Sequence, residues 1–239
     1  MASGTDGRPR HEQIAADLRA RIMSGDLAPG SQLPSIPILV TQYSAATATV
    51  QRALASLKAE GSVHSAVGKG VYVRDRRPQA VEAVPYLAPS VAGYAYRLIA
   101  VREVVPPIEV AESLDLADND RTVLRHRLLL HDGEPVELSW SYYPASIARG
   151  TELAERRKIR SGAPRVLAEL GYPPQEMRDR ISARMPTTEE VETLSLPPYV
   201  PVLRQVRVIC SVDGRPVEAS VLVKGSHLHE LHYRQRLDS

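Results

Sequence analysis

The stretch "TATVQRALASLKAEGSVHSAVGKGVYV", residues 47–73, decides the fold of the first part of the chain. Val50, Ala53, Leu54 and Leu57 recur at three- and four-residue intervals, the spacing of one apolar helix face. Gly61 follows as a stop. "SVHSAV" and "GVYV" then read as two short strands around Gly68-Lys69-Gly70.

Upstream, Ile14, Leu18 and Ile22 form a second apolar stripe, ended by Gly25. "LAPGSQLPS" is a turn. Ser35 is placed to cap a further helix, with Pro37 in its first turn and Ile38, Leu39 and Tyr43 as its buried side. Three short helices and a hairpin make residues 1–74 a winged helix-turn-helix. Residues 75–93, rich in Pro and Ala, read as a linker.

Residues 94–239 are organised differently. "HDGEPVELSWSYY" and "VDGRPVEASVLVK" share an Asp-Gly-x-Pro-Val-Glu-x-Ser core, led by Asp132 and Asp213. Each is β-rich sequence entering and leaving an Asp-Gly turn. Between them, "GAPRVLAELGY" reads as a helix stopped by Gly171. "TTEEVETLSL" reads as another, capped by Thr187 or Thr188. Strands and helices that do not alternate strictly predict an α+β domain on an antiparallel sheet.

Composition bounds the function. The chain has 239 residues, is 43% hydrophobic and carries a net charge of +2, so no strong overall field calls for a polyanion. Residues 1–74 hold an excess of three positive charges, which permits nucleic-acid binding, yet no Lys or Arg falls between Arg21 and Arg52. Cys210 is the only cysteine and excludes an intrachain disulfide. No apolar run approaches the roughly 18 residues of a membrane span, and the first residues lack the apolar core of a secretory signal. These features predict a cytoplasmic protein.

"QIAADLRARIMSGDLAPGSQLPS", "TVQRALASLKAEGSV" and "GKGVYV" together resemble the GntR family of bacterial transcription regulators. The "DGEPVELSWSYYP" and "DGRPVEAS" hairpins resemble the UTRA effector-binding domain of its HutC-like subfamily, whose fold is similar to that of chorismate lyase. The resemblance implies a homodimer that binds palindromic double-stranded operator DNA and lets go, or binds, when a small metabolite effector fills the UTRA pocket, with no cofactor; the arginine pair described below makes a small anionic metabolite the expected effector. It also leaves a chorismate-lyase-like enzyme, or a sensor whose winged helix binds protein, as alternatives.

This chain departs from the family at the reading surface. Ser35-Ile36-Pro37 stands where Ser-Glu-Arg is usual, and Thr47 and Gln51 replace two arginines. Gln pairs bidentately with adenine, and Thr offers a hydroxyl and a methyl, so Thr47, Thr49 and Gln51 are expected to favour A·T steps. Phosphate contacts then fall to Arg10, Ser35, Arg52 and Lys69, with Gly68 and Gly70 letting the wing backbone come close to DNA.

In the second half, Arg125 and Arg127 alternate on one strand and Glu137, Ser139 and Ser141 on the next. A three-residue loop, Asp132-Gly133-Glu134, sets all five on one face, suited to a carboxylate or phosphate; a two-residue loop separates them. Glu218 and Ser220 hold the equivalent places in the second hairpin. Ser161 lies near where relatives place a phosphate-binding serine. His227, His229 and His232 lack a full metal-ligand set, and no catalytic constellation is evident, so neither metal nor catalysis is expected.

Overall fold

The computed structural model describes residues 6–74, 79–82, 93–197 and 199–232. Apart from 79–82 and 93, the predicted linker lies outside the described residues. The chain divides into two compact units, one of residues 1–78 with 197–200 and one of residues 79–196 with 201–239.

The first unit contains helices α1 (Arg10–Ser24), α2 (Ile36–Tyr43) and α3 (Thr47–Ala59), then strands β1 (Val63–Ala66) and β2 (Gly70–Val73). Ile14, Leu18, Leu39, Val50, Ala53, Leu54, Leu57, Val63 and Val73 form one core, so the helical spacing buries the faces it predicts. Arg19 ties α1 to Glu60 beyond α3 through two hydrogen bonds of 2.8 and 2.5 Å. Two local expectations fail on α2. Ile38 is 57% exposed, because Leu39 and the partly buried Ile36 and Val40 already supply the packed side. Ser35 takes the N-cap position, but its side chain makes no capping hydrogen bond.

β1 and β2 pair antiparallel, and Gln32 adds an isolated bridge to Tyr72, bringing a third chain segment to the wing. The Gln32 amide donates to the Lys69 carbonyl at 2.7 Å. Gly70 has φ +114°, and a Cβ there would lie 2.6 Å from the Gln32 amide nitrogen. The positive φ is what calls for glycine here, since the end of the Gln32 side chain could move aside.

The second unit contains β3 (Gln79–Glu82), β4 (Tyr94–Val104), α4 (Ile108–Ser113), β5 (Thr122–His131), β6 (Glu134–Pro144), α5 (Ala145–Ala148), a 3-10 turn (Glu152–Ala154), α6 (Ala163–Glu169), β7 (Pro174–Arg184), α7 (Thr188–Thr193), β8 (Val202–Ser211), β9 (Pro216–Gly225) and β10 (His229–His232). Six strands form one antiparallel sheet in the order β4-β5-β6-β9-β8-β7, and β3 pairs in parallel with β10.

That order is a duplication. β4-α4-β5-β6 and β7-α7-β8-β9 are the same unit twice, joined where β6 pairs with β9. Each helix ends alike: Leu114-Asp115-Leu116 with Asp115 at φ 51°, and Leu194-Ser195-Leu196 with Ser195 at φ 49°. The repeat extends beyond the two Asp-Gly hairpins from which it is first legible. Thr187 and Glu190 form a reciprocal capping box on α7.

The first hairpin turns on two residues, Asp132 and Gly133, both at positive φ, with His131 paired to Glu134. This corrects the expected three-residue loop. The expected pairing nevertheless holds, because the register shifts between Leu129 and Leu130, leaving Val136 as the extra residue of a bulge. Arg127 faces Ser139 and Arg125 faces Ser141. Val217 is the matching extra residue in the second hairpin.

α4 and α7 cover one face of the sheet with Val110, Leu114, Leu194 and Leu196. α5, the 3-10 turn and α6 cover part of the other through Ile147, Leu153 and Leu167. The rest of that second face is polar.

Candidate functional site

Two surfaces carry recognition chemistry, one in each unit. On α3, burial of Val50, Ala53, Leu54 and Leu57 turns Thr47, Ala48, Gln51, Arg52 and Ala55 outward, with Thr49 half-buried on the flank. No side chain caps the helix start at Ala46, so its first amides are open to an anion. Gln51 and Arg52 point into solvent. Ala48 is an exposed methyl on this crest that the sequence reading did not nominate; its place opposite the apolar face was the available signal.

The other expected DNA residues divide. Lys69 is exposed at the wing tip, Gly68 has open space around it, and Ser35 is exposed at the start of α2. Arg10 is exposed but occupied: its guanidinium donates to the Tyr43 carbonyl at 2.9 Å and to Gln13 at 3.1 Å, closing the end of α2. Gly70 faces Gln32, as described above.

The polar face of the second unit is a set of buried, mutually bonded groups. Arg125 is 1% exposed. Its guanidinium donates to the backbone carbonyls of Glu152, Leu153, Glu155 and Arg157 at 3.3, 2.9, 2.8 and 2.6 Å. Burial holds its pKa below the usual guanidinium value. The paired-arginine expectation is thus corrected: the two share a face, but Arg125 fastens a loop.

Arg127 donates to the Ser141 hydroxyl. Ser141 shares a hydrogen bond of 2.6 Å with Ser220, and Ser220 donates to Glu218 at 2.6 Å. This chain crosses β5, β6 and β9. Beside it, Lys224 lies 2.6 Å from Glu137 and donates to Gln205 at 3.2 Å. Arg207 makes two bonds of 2.8 Å to Asp179. Ser139 is buried on the same face. Ser161 is exposed in the turn ahead of α6 and takes no part in these bonds.

The unoccupied capacity is on the donor side. Arg127 Nε and the Gln205 amide nitrogen are buried without an acceptor. A buried donor left unmade is costly, so such a face favours a ligand rich in acceptors. Tyr96, Lys158, Asp179, Gln205 and Arg207 were not nominated from sequence. Lys158 had a signal, the basic run Arg156-Arg157-Lys158 followed by Arg160. The others come together only through pairing of distant strands.

His229 is buried with Nδ1 3.0 Å from the Gly225 carbonyl, and burial lowers its pKa. Trp140 stacks on His126 at 4.6 Å. A cavity of about 400 Å³ is lined instead by Leu114, Asp115, Asp120, Pro144, Asp213 and Arg215. Among the described residues no helix is long and apolar enough to cross a membrane.

Comparison with known proteins matches both units. Residues 10–73 match the family model "Bacterial regulatory proteins, gntR family", and residues 92–226 match that of the UTRA domain. An HTH-type transcriptional regulator of Streptomyces coelicolor, SCO4628, is 30% identical over 89% of this chain and 87% of its own length. The HTH-type transcriptional repressor NagR of Bacillus subtilis is 25% identical over 96% of each. A crystal structure of a GntR-family transcriptional regulator superposes with a TM-score of 0.68 at 25% identity, covering 97% of this chain and 99% of that one.

Proposed function

The chain belongs to the GntR family of bacterial regulatory proteins and carries a UTRA domain, and from that premise we propose that it is a homodimeric cytoplasmic repressor of a palindromic operator. It is a ligand-responsive DNA-binding transcriptional regulator. In the proposed reading it acts by binding, with no reaction of its own, and its effector is a small anionic metabolite held on the polar sheet face.

The observation that carries the DNA contact is the outer surface of α3, where Thr47, Gln51 and Arg52 face solvent while the opposite side fills the core. Half-sites one helical turn apart would each take one α3 in the major groove. Arg52, Lys69, Ser35 and the first amides of α3 are the proposed phosphate contacts. Thr47, Thr49 and Gln51 are the proposed base contacts, with Gly68 letting the wing approach.

On the sensing side, Arg127, Glu137, Ser139, Glu218 and Ser220 are the proposed effector contacts. A route to the first unit is available. β9 ends next to Lys224, and β10, four residues further, is paired with β3. In this reading an effector that re-pairs Lys224 acts on β10 and so on β3, the strand that follows the winged helix along the chain. Its leverage equals its differential affinity for the two arrangements.

Selection of genomic fragments by the purified full chain, at low salt and with metabolite pools added, tests this reading. Enrichment of a palindrome that one pool abolishes supports it. No enriched fragment at low salt overturns it in favour of a protein-binding winged helix.

A further inference from the structure

We propose that Gln32 is a positioning residue for DNA binding: from the segment ahead of α2 it fastens the wing tip, so that Lys69 is presented to DNA in one place. The inference rests on the DNA-contact reading above and adds a residue that acts through the wing rather than by a contact of its own.

The wing has a third segment. Main-chain bonds run from the Gly30 amide to the Val73 carbonyl at 3.1 Å, from Val73 to Ser31 at 2.9 Å and from Leu33 to Val71 at 2.8 Å. They lay residues 30–33 alongside β2, and they stop at Val71. The tip, residues 67–69, lies beyond the last of them. Its own closure is a turn in which the Lys69 amide donates to the Ala66 carbonyl at 3.0 Å. A two-stranded ribbon has little stability of its own in water.

What fastens the tip from outside this turn is one carbonyl. The Gln32 amide donates to the Lys69 carbonyl at 2.7 Å, and the Tyr72 hydroxyl donates to the same oxygen at 3.2 Å. Two donors fill the two lone pairs of that oxygen. Both side chains belong to one cross-strand row. Gln32 bridges to Tyr72, and Tyr72 pairs with His64, their ring centres 5.9 Å apart. One side of the wing is thus a polar row that leads to the tip, while Leu33, Val63 and Val73 lie in the core.

A second observation is independent of the carbonyl. Gly70, the residue after Lys69, has no side chain to hold the Gln32 amide away, and that amide rests against its bare backbone. The tip's own side chains do not pack it in place: Val67 is 100% exposed, and Lys69 is exposed as well. A tip left loose must be ordered when it meets DNA, which weakens binding; a tip already held avoids that loss. Gln32 also lies three residues before Ser35. One side-chain bond therefore joins the two segments that carry the proposed phosphate contacts Ser35 and Lys69.

The test uses the full-length chain and two duplex probes, the fragment most enriched in the genomic selection and bulk genomic DNA of no selected sequence. Gln32→Met keeps the length of the side chain and removes the donor without changing charge. It is expected to weaken binding by about tenfold, for one hydrogen bond lost per wing. It should also lower the salt slope by about one per bound subunit, although no cation is removed. Tyr72→Phe, which loses the longer bond, should do the same more weakly. In DNA-free protein both should speed amide exchange at residues 66–70 and leave α1 and α3 protected. Gln32 is exposed, so its variant is expected to fold; circular dichroism checks that, and Tyr72→Phe reads the same fastening if it does not. The decisive measurement is the cycle with Lys69→Ala. Gln32→Met should cost little in that background, because the charge it positions is gone. Full additivity would make Gln32 a DNA contact in its own right and overturns the proposal. Unchanged affinity in Gln32→Met, or unchanged exchange at the tip, overturns it too. A parent chain that binds neither probe at low salt sinks the DNA-contact reading and this proposal together. Parental binding that is indifferent to Gln32→Met sinks this proposal alone.

Discussion

The ammonium of Lys224 and the carboxylate of Glu137 sit 2.6 Å apart on paired central strands, 4% and 15% exposed. Breaking a buried pair from one side leaves the other charge uncompensated. Lys224→Met is expected to cost about 3–5 kcal/mol in urea unfolding. The double variant Lys224→Met/Glu137→Leu should recover most of that loss. A single variant as stable as the parent would show that the pair is solvated in practice.

Arg125 has a different kind of partner, four main-chain carbonyls of one loop. Arg125→Met is expected to destabilise by about 2–4 kcal/mol, since it strands buried acceptors. Arg125→Lys should fall between, because one ammonium cannot reproduce the fork. Amide hydrogen exchange should rise across residues 152–159 in both variants. Unaltered protection there would refute the fastening role.

DNA binding should depend weakly on salt, with a log–log slope on the order of 2–4, because few cations flank α3. Arg52→Ala should lower that slope by about one per bound subunit. Gln51→Arg should move the selected sequence from adenine towards guanine at one position of each half-site. A steep slope for the parent, or an operator unchanged by Gln51→Arg, would count against this surface as the reader.

His126 sets an acid limit. Burial, followed by the charges of Arg102 and Arg127, lowers its pKa from 6.5 to about 4. Between those values the unfolded chain binds the extra proton and the folded chain does not. Stability should therefore be level above pH 6.5 and fall on acidification, by up to about 3 kcal/mol near pH 4 from this group. His126→Phe keeps a ring on Trp140 and should flatten that part of the profile. Urea midpoints from pH 4 to 8 for both proteins decide it.

The first unit was legible because its information is local. The interval of Ile14, Leu18 and Ile22 and that of Val50, Leu54 and Leu57 each state which side of a helix leaves water, whatever lies opposite. Ile38 misled because three adjacent apolar residues on one helix cannot all face one core. In the second unit the Asp-Gly turns announced both hairpins, and their shared letters announced that the halves are related.

The sequence by itself thus determined the helices, the hairpins and the family likeness, all written in residues a few positions apart. Only the tertiary structure decided which charges face one another. Val136 shifts the register back by one residue, Arg125 reaches carbonyls some thirty positions along the chain, and Lys158 and Arg127 each lie near the ring of Tyr96, from a third segment. A buried charge takes whatever partner the packing of distant strands brings within a few ångströms, and spacing along the chain carries no record of that distance.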